Sequence, residues 1–370
     1  MRVGVLGGGQ LGRMLALAGV PLGFEFRFLE PAEDPPVRGL GEHVQASYDD
    51  AAALERFAEG LDVVTYEFEN VPVGSTRALS EHVPVRPQPD ALECAQDRLR
   101  EKELFAKLRI PAASFERVDP KAEAEEEDLP AALERLGAPA VAKTRRLGYD
   151  GHGQFVVRTP ADVTRAEKEL RGAPSILEKL VSFERELSIL AVGGRNGAHA
   201  FYPLVENLHR DGILRRSLAP APNVSDRLQA EAQSIASRIL EDFGYVGLLA
   251  VELFEVDGKL MANEMAPRVH NSGHWTIEGA ETSQFENHLR AVTGLPLGET
   301  KPRGTSVMLN LIGATPDPGT VLETPDAHLH LYGKAARRGR KLGHVTLRGE
   351  DPVEVAAAAD ELAARLPADG

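Results

Sequence analysis

Asn263-Glu264-Met265-Ala266-Pro267-Arg268-Val269-His270-Asn271-Ser272-Gly273-His274-Trp275-Thr276 gathers a carboxylate, two amides, a guanidinium and two imidazoles. Only Met265, Ala266, Val269 and Trp275 are plainly apolar. A solvated loop can be this polar, but it has little use for the only tryptophan in 370 residues. Such a density marks a place where a metal, an anion and a proton-transfer group lie close together; the plainer reading is a polar loop with one aromatic anchor. Immediately upstream, residues 249–256 and 259–265 read as strands around Asp257-Gly258, a strong hairpin signal. Glu252 and Glu264 lie on these strands. A two-residue loop pairs Glu252 with Asn263 and turns Glu264 to the other face. A three-residue loop, Val256-Asp257-Gly258 with Gly258 left-handed, brings both glutamates to one face. Paired carboxylates suit Mg²⁺ held together with nucleotide phosphates, so a metal role predicts the three-residue loop.

The length suits two or three domains. With 42% hydrophobic and 26% charged residues, a sizeable core is expected. The net charge of −14 opposes non-specific nucleic-acid binding, and any anionic substrate must be drawn in by a local basic cluster. No apolar run approaches the ~20 residues of a membrane span. Met1 to Leu6 leads straight into a glycine loop, without the pattern of a signal peptide. The single Cys94 excludes an internal disulfide and a cysteine zinc site, and reads as a small buried thiol. A cytoplasmic enzyme is expected.

The first ninety residues alternate strand and helix: strands at Val3-Gly4-Val5-Leu6, at residues 24–29 and at 63–66, with helices from Arg13 and over 51–58. This rhythm predicts a parallel sheet. Pro84, Pro87 and Pro89 mark a domain edge. A helix over 97–108 follows. The acidic run 121–128 reads as a solvated face. Strands at 140–143 and 154–157 flank the glycine loop 148–153, another strand begins near Ile176, and Ser225 caps a helix over 226–243 that stops at Gly244. The expected divisions are residues 1–95, 96–175 and 176–370.

Gly7-x-Gly9-x-x-Gly12, with Glu30 ending the next strand, matches the dinucleotide fingerprint, but such a loop also serves any phosphate or a tight strand–helix turn. Gly148-Tyr149-Asp150-Gly151-His152-Gly153 suggests a phosphate lid whose amides approach an anion closely, with Lys143 upstream. Lys334, Arg337, Arg338, Arg340 and Lys341 form a basic run suited to a phosphate, or to a surface turn.

The order of these motifs resembles the ATP-grasp enzymes and, within them, the 5-(carboxyamino)imidazole ribonucleotide synthases of purine biosynthesis. The resemblance rests on Gly7 to Met14, Thr65-Tyr66-Glu67-Phe68-Glu69-Asn70-Val71, Lys143 with the 148–154 lid, Phe201 to His209, Asn263 to Thr276, and Gly339 to His344. It implies an α/β fold, with an N-terminal parallel preATP-grasp domain, a small lid domain and a C-terminal ATP-grasp domain, and a homodimer. It implies that ATP with Mg²⁺ phosphorylates bicarbonate to carboxyphosphate, and that aminoimidazole ribonucleotide is then carboxylated, directly or through CO₂. No nucleic-acid or membrane partner is implied.

By matching position, Arg98 and Lys143 would contact nucleotide phosphates under a lid of Gly148, Tyr149, Asp150, Gly151, His152, Gly153 and Gln154. Glu178, Lys179, Leu180 and Val181 would read adenine, Glu186 would bind ribose, and His209 would lie at the nucleotide. Glu252 and Glu264 would hold Mg²⁺ beside Asn263. Arg268, His270 and Asn271 would surround bicarbonate or carboxyphosphate. Tyr149 and Asp150 would face the imidazole of the ribonucleotide, whose remaining contacts would be Gln10, Glu67, Lys334, Arg337 and Arg340. Asp150 and His270 are the two candidate bases. Competing readings are a formate-using transformylase of the same superfamily, a nicotinamide-dependent dehydrogenase resting on residues 7–12 and Glu30, and a silent nucleotide-binding module.

Overall fold

Short, mostly apolar strands buried on both faces are characteristic of a parallel sheet covered by helices, and the N-terminal residues build one. In the computed structural model, which describes residues 1–119, 128–148 and 153–367, β1 (Arg2–Leu6) runs parallel to β2 (Glu25–Leu29) and β4 (Val63–Tyr66). β3 (Glu42–Val44) adds to β2, giving the order β3-β2-β1-β4. The helix predicted from Arg13 begins at Gln10. Glu67, arriving from the end of β4, accepts hydrogen bonds from the Gly9 and Gly12 amides and so caps a helix whose own Gly9 cap has no side chain.

A second sheet is antiparallel throughout, β5 (Phe115–Val118), β8 (Ser175–Lys179), β6 (Ala140–Thr144) and β7 (Gln154–Val157) in that spatial order. The acidic run at 121–127 lies outside the described residues, as do Tyr149, Asp150, Gly151 and His152. The third sheet has nine strands: β9 (Arg185–Gly193), β10 (His199–Phe201), β11 (Val205–Arg210), β12 (Ile213–Ala219), β13 (Gly247–Val256), β14 (Lys259–Ala266), β15 (Thr305–Ile312), β16 (Ala327–Leu331) and β17 (Lys341–Gly349). The helix Asp226–Phe243 packs against it. Ser225 Oγ accepts from the Leu228 amide at 3.2 Å and Gly244 turns left-handed at φ 53°, the start and stop that the sequence predicts. Cys94 is buried. No helix of the described residues is long and apolar enough to cross a membrane.

A histidine joins the first sheet to the third. His288, fully buried, accepts the Leu248 amide at Nδ1 (3.1 Å) and meets Thr65 Oγ at Nε2 (2.8 Å). Burial pushes its pKa down to about 3. The unfolded chain therefore takes up a proton near pH 6.5 that the folded chain refuses, so this contribution is complete above pH 6.5 and is lost as the pH falls towards 3. Urea denaturation of the His288→Gln protein is expected to show a stability slope between pH 6 and 4.5 shallower by about 1.4 kcal/mol per pH unit than the parent. An unchanged slope refutes the joint's role.

Candidate active site

The glutamate pair settles the geometry of the site. Asp257 and Gly258 are both left-handed (φ 50° and 67°) and Val256 pairs with Lys259, so the hairpin loop has two residues, not the three expected. Glu252 nevertheless faces Glu264, because Leu253 pairs with Ala262 and the register shifts by one at Asn263. A bulge inside β14 does what the longer loop was expected to do: one extra residue exchanges the faces of everything beyond it.

The helix Arg98–Lys107 holds this bulge in place with residues one turn apart. Arg98 Nη1 lies 2.8 Å from Glu264 Oε2, Glu101 accepts the Met265 amide at 2.6 Å, and Lys102 Nζ donates to the Asn263 carbonyl at 2.8 Å. Glu178 Oε2 receives both Lys102 (3.3 Å) and Lys143 (3.0 Å), so its side chain points into the protein. Burial pushes Lys143 below its ordinary pKa. Burial and the neighbouring Glu264 charge push Glu252 up to about 7, whereas Arg98 outweighs burial and holds Glu264 at about 2. Two carboxylates that repel one another, each offering hard oxygen atoms to the same cleft, fit Mg²⁺.

Beyond the metal end, Arg268 pairs with Glu69 and donates to the Val269 carbonyl at 2.9 Å. Burial, with Arg268 beside it, pushes His270 down to about 3, so the ring is neutral; its Nε2 lies 3.5 Å from Glu252 Oε1. Neither amide atom of Asn271 has a partner among the described residues, although both are buried. A buried orphan amide at the wall of a cleft is a group awaiting a ligand. His274 and Trp275 lie wholly inside the core.

Glu69, Arg98, Glu252, Arg268, His270 and Asn271 line one cleft of about 650 Å³ between the second and third sheets. Val141, Lys143, Gly148, Gln154 and Val156 approach from the second sheet; Glu186, His209, Phe254, Asn263 and Glu264 approach from the third. Glu186 lies 2.5 Å from His209 Nδ1 and outweighs burial to hold that imidazole above its ordinary range. Phe254 stacks on Phe183 at 4.5 Å. Gly153 is left-handed (φ 73°), and a Cβ there would lie 2.5 Å from Thr144 Oγ. Lys179 turns away to the Gly137 and Ala138 carbonyls, at 3.1 and 3.2 Å, while Leu180 and Val181 are half-buried in the crossing to β9.

At the opposite end Gln10 meets Lys334, and Lys334 lies 5.9 Å over the Tyr332 ring. Burial pushes Lys334 down to about 8, against the attraction of Glu67. The basic run divides: Lys341 lines the cleft, Arg337 is exposed, and Arg340 donates to the Ala335 carbonyl at 3.2 Å. Glu30 accepts from the Gly8 amide at 2.9 Å, the Ala32 amide at 3.0 Å and the Tyr48 hydroxyl at 3.0 Å. With Glu67 on Gly9 and Gly12, the amides that a dinucleotide pyrophosphate would use are filled by the protein's own carboxylates. The sequence assigns no site role to Glu69, Glu101 or Lys102, and places Lys341 only in the basic run; for Glu101 and Lys102, charges at positions 98, 101 and 102 on one helix stripe are the available signal.

Three family models match in chain order: the ribonucleotide synthetase preATP-grasp domain over residues 1–96, the ATP-grasp domain over 103–285, and the phosphoribosylaminoimidazole carboxylase C-terminal domain over 306–358. The chain is 53% identical to the N5-carboxyaminoimidazole ribonucleotide synthase of Pseudomonas aeruginosa over 368 residues, 100% of each chain. Its fold is similar to the crystal structure of N5-carboxyaminoimidazole ribonucleotide synthetase from Thermus thermophilus (TM-score 0.93, 55% identity, 98% of both chains). It is similar also to that of N5-carboxyaminoimidazole synthase from Aspergillus clavatus in complex with ADP and 5-aminoimidazole ribonucleotide (TM-score 0.90, 34% identity, 98% and 97% of the chains).

Proposed function

Because the chain belongs to the N5-carboxyaminoimidazole ribonucleotide synthase family of ATP-grasp ligases, we propose that it carboxylates 5-aminoimidazole ribonucleotide with bicarbonate at the expense of ATP. The observation that carries this reading is the register shift that turns Glu264 towards Glu252, next to the unpartnered amide of Asn271. Bicarbonate oxygen attacks the γ-phosphorus, giving ADP and carboxyphosphate. The exocyclic amine then bonds to the carboxyl carbon as the carbon–oxygen bond to phosphate breaks, and the amine proton leaves, in the net reaction, with the phosphate.

Such a transfer needs positive charge around the γ-phosphate. Arg98 and Lys143 supply it from the protein, under Gly148, Gly153 and Gln154 of the lid. Glu252 and Glu264 would hold Mg²⁺, which when bound would supply neutralisation of phosphate charge. Glu186 and His209 hold the ribose, and the chain at 178–181 borders the adenine. Arg268, His270 and Asn271 bind bicarbonate and then carboxyphosphate, and the enclosed cleft protects that labile species from water. Gln10, Glu67 and Lys334 form the ribonucleotide end, with Lys341 between it and the anion. Arg337 and Arg340 reach the substrate phosphate only from its solvent side. Tyr149, Asp150, Gly151 and His152 lie outside the described residues, and their role rests on the family resemblance alone. The active species is a cytoplasmic homodimer.

Phosphate release from ATP and Mg²⁺ is expected to require both bicarbonate and 5-aminoimidazole ribonucleotide. Release that is indifferent to the ribonucleotide overturns the assignment, and release supported by formate favours a transformylase.

A further inference from the structure

Behind the anion end lies a line of buried polar groups: Ser217 (fully buried), Asn207 (6% exposed), Ser188 and Ser272 (both fully buried). Ser217 Oγ donates to Asn207 Oδ1 at 2.7 Å, Asn207 Nδ2 donates to Ser188 Oγ at 3.0 Å, and Ser188 Oγ donates to Ser272 Oγ at 2.9 Å. The line ends at His270, whose Nδ1 lies 2.9 Å from Ser272 Oγ. A hydroxyl has one proton to give. Once the amide has donated to Ser188, the proton of Ser188 goes to Ser272 and that of Ser272 goes to His270 Nδ1. That nitrogen must therefore present a lone pair. An independent contact requires the same thing: the Ser272 main-chain N–H also points at Nδ1, at 3.4 Å.

We propose that the relay Ser217–Asn207–Ser188–Ser272 locks the neutral His270 ring with its proton on Nε2, which makes His270 a hydrogen-bond donor to the bicarbonate or carboxyphosphate oxygens. The assignment of the anion rests on the function proposed above; the tautomer does not. A ring fixed in this way has no lone pair facing the cleft and does not take the proton of the attacking amine. Asn207, Ser188 and Ser272 are positioning residues. They touch no substrate and act by deciding which nitrogen carries hydrogen.

Nitrogen-15 NMR of histidine-labelled full-length protein at pH 7.5 reads the tautomer directly. The expected result is a single species with hydrogen on Nε2. Asn207→Asp replaces the donor with a second acceptor and reverses the line, so the proton is expected on Nδ1, with kcat/KM for bicarbonate lower by about tenfold or more and KM for ATP unmoved. Should that buried carboxylate prevent folding, Ser272→Ala removes the last link instead and is expected to give a mixture of tautomers. His270→Gln, which returns an N–H close to the Nε2 position, is expected to retain far more activity than His270→Ala, whose loss should reach roughly 10²–10³-fold, the cost of one missing oxyanion donor. Hydrogen on Nδ1 in the parent, or an unchanged tautomer in a folded relay variant, overturns the proposal. A correct tautomer with no bicarbonate-dependent phosphate release overturns only the function on which the anion assignment rests.

Discussion

Glu264→Gln is expected to lower phosphate release from ATP by about 10³-fold or more while leaving the fold intact. The substitution is isosteric, so packing against β13 is unchanged. What is lost is the charge of one of two facing oxygen donors, and with it several kcal/mol of transition-state stabilisation by the metal; each 1.36 kcal/mol is tenfold in rate. Stability should move little. Arg98 loses its 2.8 Å partner, but the repulsion that pushes Glu252 up to about 7 is removed in the same step. The expected melting temperature lies within about 3 °C of the parent, a shift of the size produced by 1 kcal/mol or so in a chain of this size. A residual activity that recovers with rising Mg²⁺ concentration fits the role. Near-normal turnover at ordinary Mg²⁺ refutes it.

The second large effect is on stability. Lys102 is 2% exposed and joins three parts of the chain: its own helix, the Asn263 carbonyl in the third sheet and Glu178 in the second. Lys102→Met keeps the stem and removes the charge. Glu178, whose Oε1 already lacks a partner among the described residues, then loses one of its two ammonium partners, and the Asn263 carbonyl loses its ammonium donor. Removing one member of a buried charged cluster typically costs about 3–5 kcal/mol, and the urea midpoint should fall accordingly. Lys107, on the same helix with its side chain 64% exposed and paired with Asp242, is the control: Lys107→Met should cost less than about 1 kcal/mol. Equal effects from the two substitutions would show that Lys102 is only a solvated helix residue.

Much of the fold was legible because local rules and tertiary structure agree. The parallel strands at Val3, Phe26 and Val63 are short, mostly apolar and almost wholly buried, and Ser225 and Gly244 bound a helix at both ends. The glutamate pair was legible as a requirement but not as a mechanism. The need for both carboxylates on one face could be written from the sequence, yet the extra residue was assigned to the turn, since nothing about Asn263 as a residue type announces a bulge. What fixes it is Lys102, distant in sequence, pulling on its carbonyl. The glycine loop illustrates the opposite failure. Its spacing describes a backbone able to receive an anion, and cannot say that Glu67 and Glu30 of the same chain already do so. Adjacent cations in the basic run point different ways, Lys341 inward and Arg337 outward, a distinction that only the placement of β17 decides.

The position of the register shift has a consequence for altering this protein. Since the correction sits in the strand beside the carboxylates, the tip of the hairpin is released from any duty to count residues. A peptide tag or a small folded insert placed between Asp257 and Gly258 leaves the pairing of Glu252 with Glu264 untouched, and so does deletion of the bulged residue itself, since without Asn263 Glu264 follows Ala262 directly and still lies opposite Glu252; one residue added between Asn263 and Glu264 is what would carry Glu264 out of that pairing. Length variation among natural or engineered versions should therefore be abundant at that tip, while beside the carboxylates the strand has room to lose its one extra residue and none to gain another.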